Sequence, residues 1–245
     1  MAEKKVLLDV QSLGKQFGGL RAVDGVSFMV REHEVMGLIG PNGSGKTTMM
    51  NMISGALKPT DGDIYLEDRL ISQRSAREIA TAGVARTFQL VRLLPSLSVV
   101  ENVMAGAVFG HKRLWGRELE KYAVRQLERV GLAQAIHRPV STLTYIDEKR
   151  VELARALASD PVILLLDEWL AGLNATEMQT GIALVRSLRD DGRTIIVVEH
   201  VMDAIRSLCD RCVVMSSGAK IAEGTPEEAL SNSEVVRAYL GDANA

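Results

Sequence analysis

The sequence lacks an excess of charge of either sign, and it lacks long hydrophobic runs. Its 29 lysines and arginines nearly balance 31 aspartates and glutamates, for a net charge of −2. This balance gives no chain-wide electrostatic basis for binding nucleic acid. The longest apolar runs, such as residues 162–166 and 194–198, are far shorter than the roughly 17 residues that a membrane-spanning helix needs. The first residues lack the apolar core of a secretory signal. We therefore expect a cytoplasmic protein that does not itself cross a bilayer.

Cysteine is nearly absent as well. The two that occur, Cys209 and Cys212, have the C-x-x-C spacing of redox and zinc sites. No second pair completes a four-ligand zinc site, and the motif leads into an apolar run at 213–215, where a redox motif would begin a helix. These cysteines are therefore expected to pack in the interior or to be incidental. Neither an internal repeat nor a low-complexity linker divides the 245 residues.

A phosphate-binding motif lies in the first quarter of the chain. The stretch GPNGSGKTT at 40–48 matches the pattern G-x-x-x-x-G-K-[ST], between a strand-like run at 34–39 and a helix-like run at 49–54. Its glycines allow the backbone N–H groups to curl around a phosphate, and the following helix directs its positive end at the same anion. Lys46 is expected to reach the β- and γ-phosphates, and Thr47 to bind Mg²⁺. The motif therefore predicts a nucleoside triphosphate site.

Two strand-like runs end in residues suited to phosphate chemistry. The apolar run at 162–166 leads directly into Asp167 and Glu168, and the run at 194–198 is closely followed by His200. Uninterrupted apolar strands are typical of parallel sheets covered on both faces, and α/β proteins bind ligands at the carboxyl edge of such sheets. The two acids are therefore expected to form a metal and water site. His200 is expected in the same crevice, although a surface or capping histidine fits its position equally well.

The residues before the phosphate motif predict strands. Partly alternating runs at 6–10 and 26–30, with turn signals at 18–19 and 24–25, indicate an antiparallel β-meander. Phe17 lies in this connection, where it either stacks on a purine base or belongs to the core.

The middle of the chain predicts helices. Residues 99–131 have a helical pattern interrupted by a polar, basic insert at 111–117, which is either a solvated loop or a docking surface. Thr144 is predicted to cap a helix over 147–159. The apolar face of that helix leaves Lys149 on the polar side.

Six motifs in order make the chain resemble the ATP-binding cassette (ABC) ATPases over essentially its whole length. They are GPNGSGKT at 40–47, Gln89 in the Q-loop position, the signature-like LTYIDEKR at 143–150, LLLDE at 164–168, AGLN at 171–174 as a D-loop, and His200 as the switch histidine. A narrower resemblance is to the LivG/LivF-like ATPases of branched-chain and hydrophobic amino acid importers. It rests on FGGLRAV at 17–23, ARTFQ at 85–89, AGLN at 171–174 and AYLG at 238–241.

The resemblance implies one cassette domain over residues 1–245, of the α/β P-loop class. Its nucleotide-binding core, with a mainly parallel sheet and an antiparallel β-subdomain, is expected at about 1–90 and 160–245. A helical subdomain that carries the signature helix is expected at 91–159.

The resemblance also implies which residues bind ATP and Mg²⁺. The ATP-binding residues are expected to be Phe17 on adenine, Val23, Asn42, Gly43, Ser44, Gly45, Lys46, Thr47 and Thr48, with Thr144 and Tyr145 on the nucleotide of a partner cassette. The Mg²⁺ ligands are expected to be Thr47, Gln89 and, through water, Asp167. The catalytic residues are expected to be Glu168, which polarises the attacking water, His200, which holds the γ-phosphate, and Gln89.

Two positions depart from the family pattern. Ile146 replaces a signature glycine, and its bulk is expected to crowd the phosphate bound there. Trp169 replaces the proline that normally follows the catalytic glutamate, and this is expected to alter how rigidly Glu168 is held. We therefore expect the shared site that this signature completes to be the weaker of two, and Ile146→Gly to raise activity.

The resemblance implies several partners. These are transmembrane permease subunits, a second ABC ATPase subunit, identical or different, and, indirectly, a secreted substrate-binding protein, with no nucleic acid. The chain is expected to lie peripherally on the cytoplasmic face of the cell membrane, with permease contacts at 89–97 and near Trp115. Alternatives are a non-transport ABC ATPase acting on DNA or ribosomes, a weakly hydrolysing regulatory cassette, and an exporter ATPase. The first of these usually has a long coiled coil or two cassettes in tandem, and this chain has neither.

Overall fold

The computed structural model describes residues 4–241 and builds two β-sheets from this part of the chain. The strands in chain order are β1 (Val6–Phe17), β2 (Leu20–Arg31), β3 (Val35–Ile39), β4 (Asp61–Leu66), β5 (Arg69–Leu70), β6 (Val84–Arg86), β7 (Ile163–Asp167), β8 (Thr194–Val198), β9 (Arg211–Ser216) and β10 (Ala219–Gly224). The helices are α1 (Lys46–Ile53), α2 (Ala76–Ala82), α3 (Val99–Phe109), α4 (Arg117–Arg129), α5 (Tyr145–Ala158), α6 (Ala175–Asp190), α7 (Met202–Leu208), α8 (Pro226–Ser231) and α9 (Ser233–Gly241).

The first sheet is antiparallel, with the strand order β2-β1-β4-β5. This confirms the predicted antiparallel β-subdomain. The predicted turn at 24–25 is wrong, because β2 continues through it. Gly25 has φ +58°, and the pairing with β1 shifts by one residue between Val26 and Val23. A glycine-assisted bulge bends a strand without ending it, and in the sequence it resembles a turn.

The second sheet has the strand order β10-β9-β3-β8-β7-β6, parallel except for β10 at one edge. Every residue of β3, β7 and β8 is buried, as expected for parallel strands covered on both faces. These three neighbouring strands run in one direction. Their carboxyl ends therefore bring the phosphate loop, residues 167–168 and residue 200 to one edge of the sheet.

Two hydrophobic clusters form the core. One joins the β-subdomain and α1 to the second sheet, and the other joins α3, α4 and α5 to it. Cys209 and Cys212 are buried and unpaired thiols, which confirms the predicted packing role. In the described residues, no helix is long and apolar enough to span a membrane.

Helix α5 differs from the prediction at its start and on one face. It begins at Tyr145, because Thr144 caps it by accepting the N–H of Asp147. Lys149 was predicted on the polar side, yet only 1% of it is exposed. The prediction was wrong because the ammonium finds backbone carbonyl oxygens in the interior, and such partners allow a lysine to be buried.

Candidate nucleotide site

The phosphate-binding motif forms a tight loop between β3 and α1. Lys46 is the first residue of α1, and its Nζ donates hydrogen bonds to the carbonyl oxygens of Gly40 (2.7 Å) and Pro41 (2.8 Å). Burial lowers the pKa of Lys46, and the nearby carboxylates of Glu168 and Asp167 oppose this effect by favouring the charged ammonium. The Lys46 ammonium therefore bonds carbonyl oxygens of the loop, and the phosphate oxygens of a bound nucleotide can replace these carbonyl oxygens as its partners.

Two glycines of the loop are required by space as well as by conformation. Gly40 has φ +146°, and a Cβ there would lie 2.0 Å from the carbonyl oxygen of Met215. Gly45 has φ +103°, and a Cβ there would lie 2.6 Å from the carbonyl oxygen of Ala22. A side chain at either position would push the loop away from β9 or β2.

A pocket joins this loop to β2 and to the end of β7. It is lined by Ala22, Glu168 and the loop residues Asn42, Gly43, Ser44, Gly45, Lys46, Thr47 and Thr48. The structure thus brings together the loop residues predicted to contact nucleotide. Val23 does not line this pocket; its fully buried side chain packs against the loop from the other side, with Cγ2 3.3 Å from the position that a Cβ on Gly45 would take. Neighbouring strand residues point to opposite faces, so the residue that reaches the pocket is Ala22, which the sequence reasoning missed.

Glu168 lies between two other predicted catalytic residues. Gln89 Nε2 donates to Glu168 Oε2 at 2.6 Å, and His200 Nε2 lies 2.7 Å from Glu168 Oε1. The backbone of Glu168 has φ +49°, a left-handed conformation that is uncommon outside glycine and occurs at functional sites. A carboxylate, an amide and an imidazole therefore meet at the edge of the phosphate-loop pocket, an arrangement suited to orienting a water molecule and accepting its proton.

Asp167 is held by a residue that the sequence reasoning missed. Arg86 Nη2 donates to Asp167 Oδ2 at 2.5 Å. Arg86 Nη1 donates to Asn51 Oδ1 at 2.7 Å and to Ser54 Oγ at 3.1 Å. The spacing of residues 86 and 167 does not signal this pair, because it forms between the neighbouring strands β6 and β7.

The donors near the loop fit Mg²⁺ only together with phosphate oxygens. Within residues 4–241, no cluster of three or more His, Cys, Asp or Glu side chains forms a metal cage. Mg²⁺ usually keeps several waters and takes one or two carboxylates plus substrate phosphates. Thr47 lines the pocket, and Asp167 has one carboxylate oxygen outside its bond to Arg86. Gln89 donates to Glu168 through its amide nitrogen, which leaves its amide oxygen to bind a metal ion.

Glu199, the residue before His200, is a further buried acid behind the site. Its Oε1 accepts the N–H of Leu170 at 2.7 Å. Burial raises the pKa of Glu199 to about 7, and the bond from Leu170 and the charge of Lys149 oppose that rise. The apolar run before it signalled the strand end, but nothing in the sequence showed that its side chain turns inward.

Three predicted nucleotide-binding residues, Phe17, Thr144 and Tyr145, do not line the loop pocket. Phe17 is half-exposed at the end of β1, with Lys15 Nζ 5.4 Å from the centre of its ring. Thr144 and Tyr145 are exposed at the start of α5. Ile146 is only 9% exposed and packs in the core. Its burial contradicts the expectation that its bulk crowds a bound phosphate, because the side chain points into the protein.

Comparison with known families agrees with this geometry. Residues 23–171 match the ABC transporter family, and residues 219–245 match the family described as branched-chain amino acid ATP-binding cassette transporter. The chain is 41% identical to the high-affinity branched-chain amino acid transport ATP-binding protein LivG of Salmonella typhimurium, over 97% of this chain and 98% of that protein. It is 40% identical to the corresponding protein BraF of Pseudomonas aeruginosa, over the same shares of the two chains.

Solved structures similar to this chain are also ABC transporter cassettes. The crystal structure of the ADP conformation of MJ1267, an ATP-binding cassette of an ABC transporter, matches with a TM-score of 0.87 and 31% identity, over 97% of this chain and 99% of that one. CbiO1 of Clostridium perfringens, part of an ABC transporter complex, matches with a TM-score of 0.83 and 30% identity, over 96% and 94%. A family match over residues 23–171 and relatives of 40–41% identity along nearly the whole chain show that the chain belongs to the ABC transporter family.

Proposed function

We propose that this chain is the ATP-binding and hydrolysing subunit of an ABC importer for branched-chain or other hydrophobic amino acids. The observation that carries the proposal is the placement of Glu168 between Gln89 and His200 at the edge of the phosphate-loop pocket. The transported substrate is supported by the relatives LivG and BraF, whose names describe branched-chain amino acid transport. The relatives named above are transport proteins, and this favours a transport role over a non-transport one.

The residues of the site have complementary roles in hydrolysis. The loop N–H groups and Lys46 hold the phosphates, and Phe17 offers an exposed ring to the adenine. Thr47 and Gln89, with Asp167 through water, would hold Mg²⁺, which would supply charge neutralisation for the phosphates. Glu168 orients the attacking water and takes its proton, while His200 contacts the γ-phosphate. Phosphoryl transfer depends mainly on such positioning and charge stabilisation.

The active form is proposed to be a pair of cassettes. Thr144 and Tyr145 are exposed at the start of α5, where they are available to the nucleotide of a second cassette. A solved relative with 27% identity and a TM-score of 0.81 is described as a dimeric bacterial ABC transporter cassette. The second subunit is either a copy of this chain or a different cassette.

A permease is proposed to dock where apolar side chains are exposed. Leu90 is 77% exposed and Trp115 is 70% exposed, with Leu94 and Phe109 also at the surface. All four lie within residues 90–115 of the chain, and large exposed apolar side chains are typical of an interaction site. This contact would hold the chain peripherally on the cytoplasmic face of the cell membrane. A secreted substrate-binding protein would act on the permease from the other side.

Reconstitution tests this function. The chain is assembled in proteoliposomes with the permeases, second cassette and binding protein of a candidate amino acid importer from the same genome, and ATP-dependent uptake of leucine, isoleucine, valine and phenylalanine is measured. Leu94→Ser is expected to reduce uptake and leave ATP binding intact. Leu70→Ser is the matched control, because both leucines are 44% exposed. Absence of uptake of all four amino acids by an assembled, ATP-hydrolysing complex would rule out the proposed substrate class.

A further inference from the structure

Lys149 and Trp169 bond each other behind the catalytic carboxylate. Lys149 Nζ donates to the carbonyl oxygen of Trp169 at 3.0 Å and to that of Glu168 at 3.4 Å. In return, Trp169 Nε1 donates to the carbonyl oxygen of Lys149 at 3.2 Å. Both side chains are 1% exposed. Helix α5 is therefore tied directly to the backbone of Glu168.

The same lysine also contacts the exposed end of α5. Its Nζ lies 5.0 Å from the centre of the Tyr145 ring, within range of a cation–π interaction. The Tyr145 ring in turn lies beside Gly172, because a Cβ on that glycine would be 3.3 Å from Tyr145 Cε1. One connected set of contacts thus extends from Tyr145 through Lys149 to Trp169 and Glu168.

Two buried carboxylates, Glu199 and Glu152, bond the backbone next to Trp169 and Gln89. Glu199 accepts the N–H of Leu170, the residue after Trp169, at 2.7 Å. Glu152, one turn after Lys149 on α5, accepts the N–H groups of Phe88 at 3.3 Å and Arg92 at 3.1 Å, on either side of Gln89. Burying a lysine and two glutamates is costly. All three make their bonds to the segments that carry the catalytic side chains.

We propose that Lys149 is a positioning residue that sets the backbone of Glu168 and couples it to the start of α5. Glu168 has φ +49°, and such a conformation persists only where its surroundings hold it. Its carbonyl oxygen accepts bonds from Lys149 Nζ and from the N–H of Ala171. A change at Tyr145, on the face proposed to meet a second cassette, is transmitted to Glu168 through Lys149. This coupling rests on the proposed function.

Trp169 provides its own reporter for the test. The chain has two tryptophans, so Trp115→Phe leaves Trp169 as the only one. In that background, Lys149→Met removes the ammonium, and Lys121→Met, on the exposed face of α4, is the matched control. Three quantities are measured on the full chain: Trp169 emission without nucleotide, the Kd for a fluorescent ATP analogue, and kcat for ATP.

Lys149→Met is expected to change the Trp169 emission. It is also expected to lower kcat about tenfold, which is the effect of one ordinary hydrogen bond on the activation barrier. The Kd for the ATP analogue is expected to stay within about twofold, because the phosphate loop is untouched. The control is expected to match its parent in all three. If Lys149→Met does not fold, Trp169→Phe, which keeps most of the ring volume and removes the Nε1–H, is expected to show the same split between kcat and Kd.

Unchanged emission and kcat would overturn the proposal, and so would a loss of kcat matched by an equal loss of ATP binding, which indicates a merely structural role. Failure of the unaltered chain to bind ATP would instead overturn the proposed function. The emission of Trp169 without nucleotide still tests the contact in that case.

Discussion

Arg86 and Asp167 form an ion pair in which the two side chains are only 6% and 5% exposed, with Nη2 and Oδ2 2.5 Å apart. The other end of the guanidinium bonds Asn51 and Ser54 of the α1 region. In this way Asp167, the last residue of β7, is fixed to the helix that follows the phosphate loop. Arg86 Nε is buried without a hydrogen-bond partner among the described residues. The guanidinium therefore reaches Asp167 in an orientation that leaves one buried N–H unsatisfied, and this costs stability.

Breaking this pair is expected to destabilise the fold. Arg86→Met leaves the Asp167 carboxylate buried and unpaired, which costs about 3–5 kcal/mol of the free energy of unfolding. Urea denaturation at pH 7 measures the loss, and Arg77→Met, at an exposed arginine of α2, is the control. A loss below about 1 kcal/mol would show that the carboxylate is not held by this arginine.

Lys46 is expected to contribute to nucleotide affinity. Its ammonium sits in the phosphate loop on two carbonyl oxygens, and hydrogen bonds to charged groups are worth about 1.5–3 kcal/mol. Lys46→Ala is therefore expected to weaken ATP binding by about 10- to 100-fold, measured by calorimetry. Lys58→Ala, at an exposed lysine, is expected to bind ATP as the unaltered chain does. Equal affinities of the two variants would contradict the assigned role.

Glu199 predicts a pH-dependent stability difference. Its pKa is about 7 in the folded chain and about 4.3 in an unfolded one. Between these values the folded state keeps a proton that the unfolded state loses, so this residue's contribution to the free energy of unfolding falls as the pH rises. Glu199→Gln removes that contribution. The free energy of unfolding of Glu199→Gln, relative to that of the unaltered chain, is expected to rise by about 2 kcal/mol from pH 5 to pH 8.

Urea denaturation across this pH range measures the difference. Glu120→Gln, at an exposed glutamate of α4, is expected to follow the unaltered chain at every pH. Parallel curves for Glu199→Gln and the unaltered chain would mean that Glu199 is charged in the fold.

Ile146 is expected to act on stability. Because its side chain is buried, Ile146→Ala should cost about 2–5 kcal/mol, as for other buried aliphatic truncations. Ile146→Val should cost about 0.5–1.5 kcal/mol. Thermal unfolding, with hydrolysis measured in parallel, checks this. A stable Ile146→Ala variant with raised activity would restore the view that the side chain crowds a phosphate.

The sequence was sufficient to predict the fold and the strand-end residues, because each signal is local. The phosphate motif needs only its own nine residues and its flanking strand and helix. Asp167 and His200 follow buried apolar runs, so parallel strands bring them to one edge. The bonds from Glu168 to Gln89 and His200 agree with the catalytic grouping expected from the ABC resemblance.

The contacts between distant segments were not predictable from local patterns. Arg86 has no marker of its pairing with Asp167. Lys149 lies on what the helical pattern marks as a polar face, yet carbonyl oxygens from the segment after β7 receive its ammonium. Successive residues of a strand point to opposite faces, so only one of Ala22 and Val23 faces the pocket. A bulge beside them shifts this alternation, and the sequence alone does not show which of the two it is.

The proposed function depends above all on Glu168, which is assigned to activate water for ATP hydrolysis. The most direct measurement compares the unaltered chain with Glu168→Gln, recording steady-state hydrolysis of MgATP and the Kd for ATP on the same preparations. We expect Glu168→Gln to lose hydrolysis by about 100-fold or more, as for removal of a general base, with the Kd for ATP changed by less than about threefold. Hydrolysis by Glu168→Gln within tenfold of the unaltered chain would contradict it.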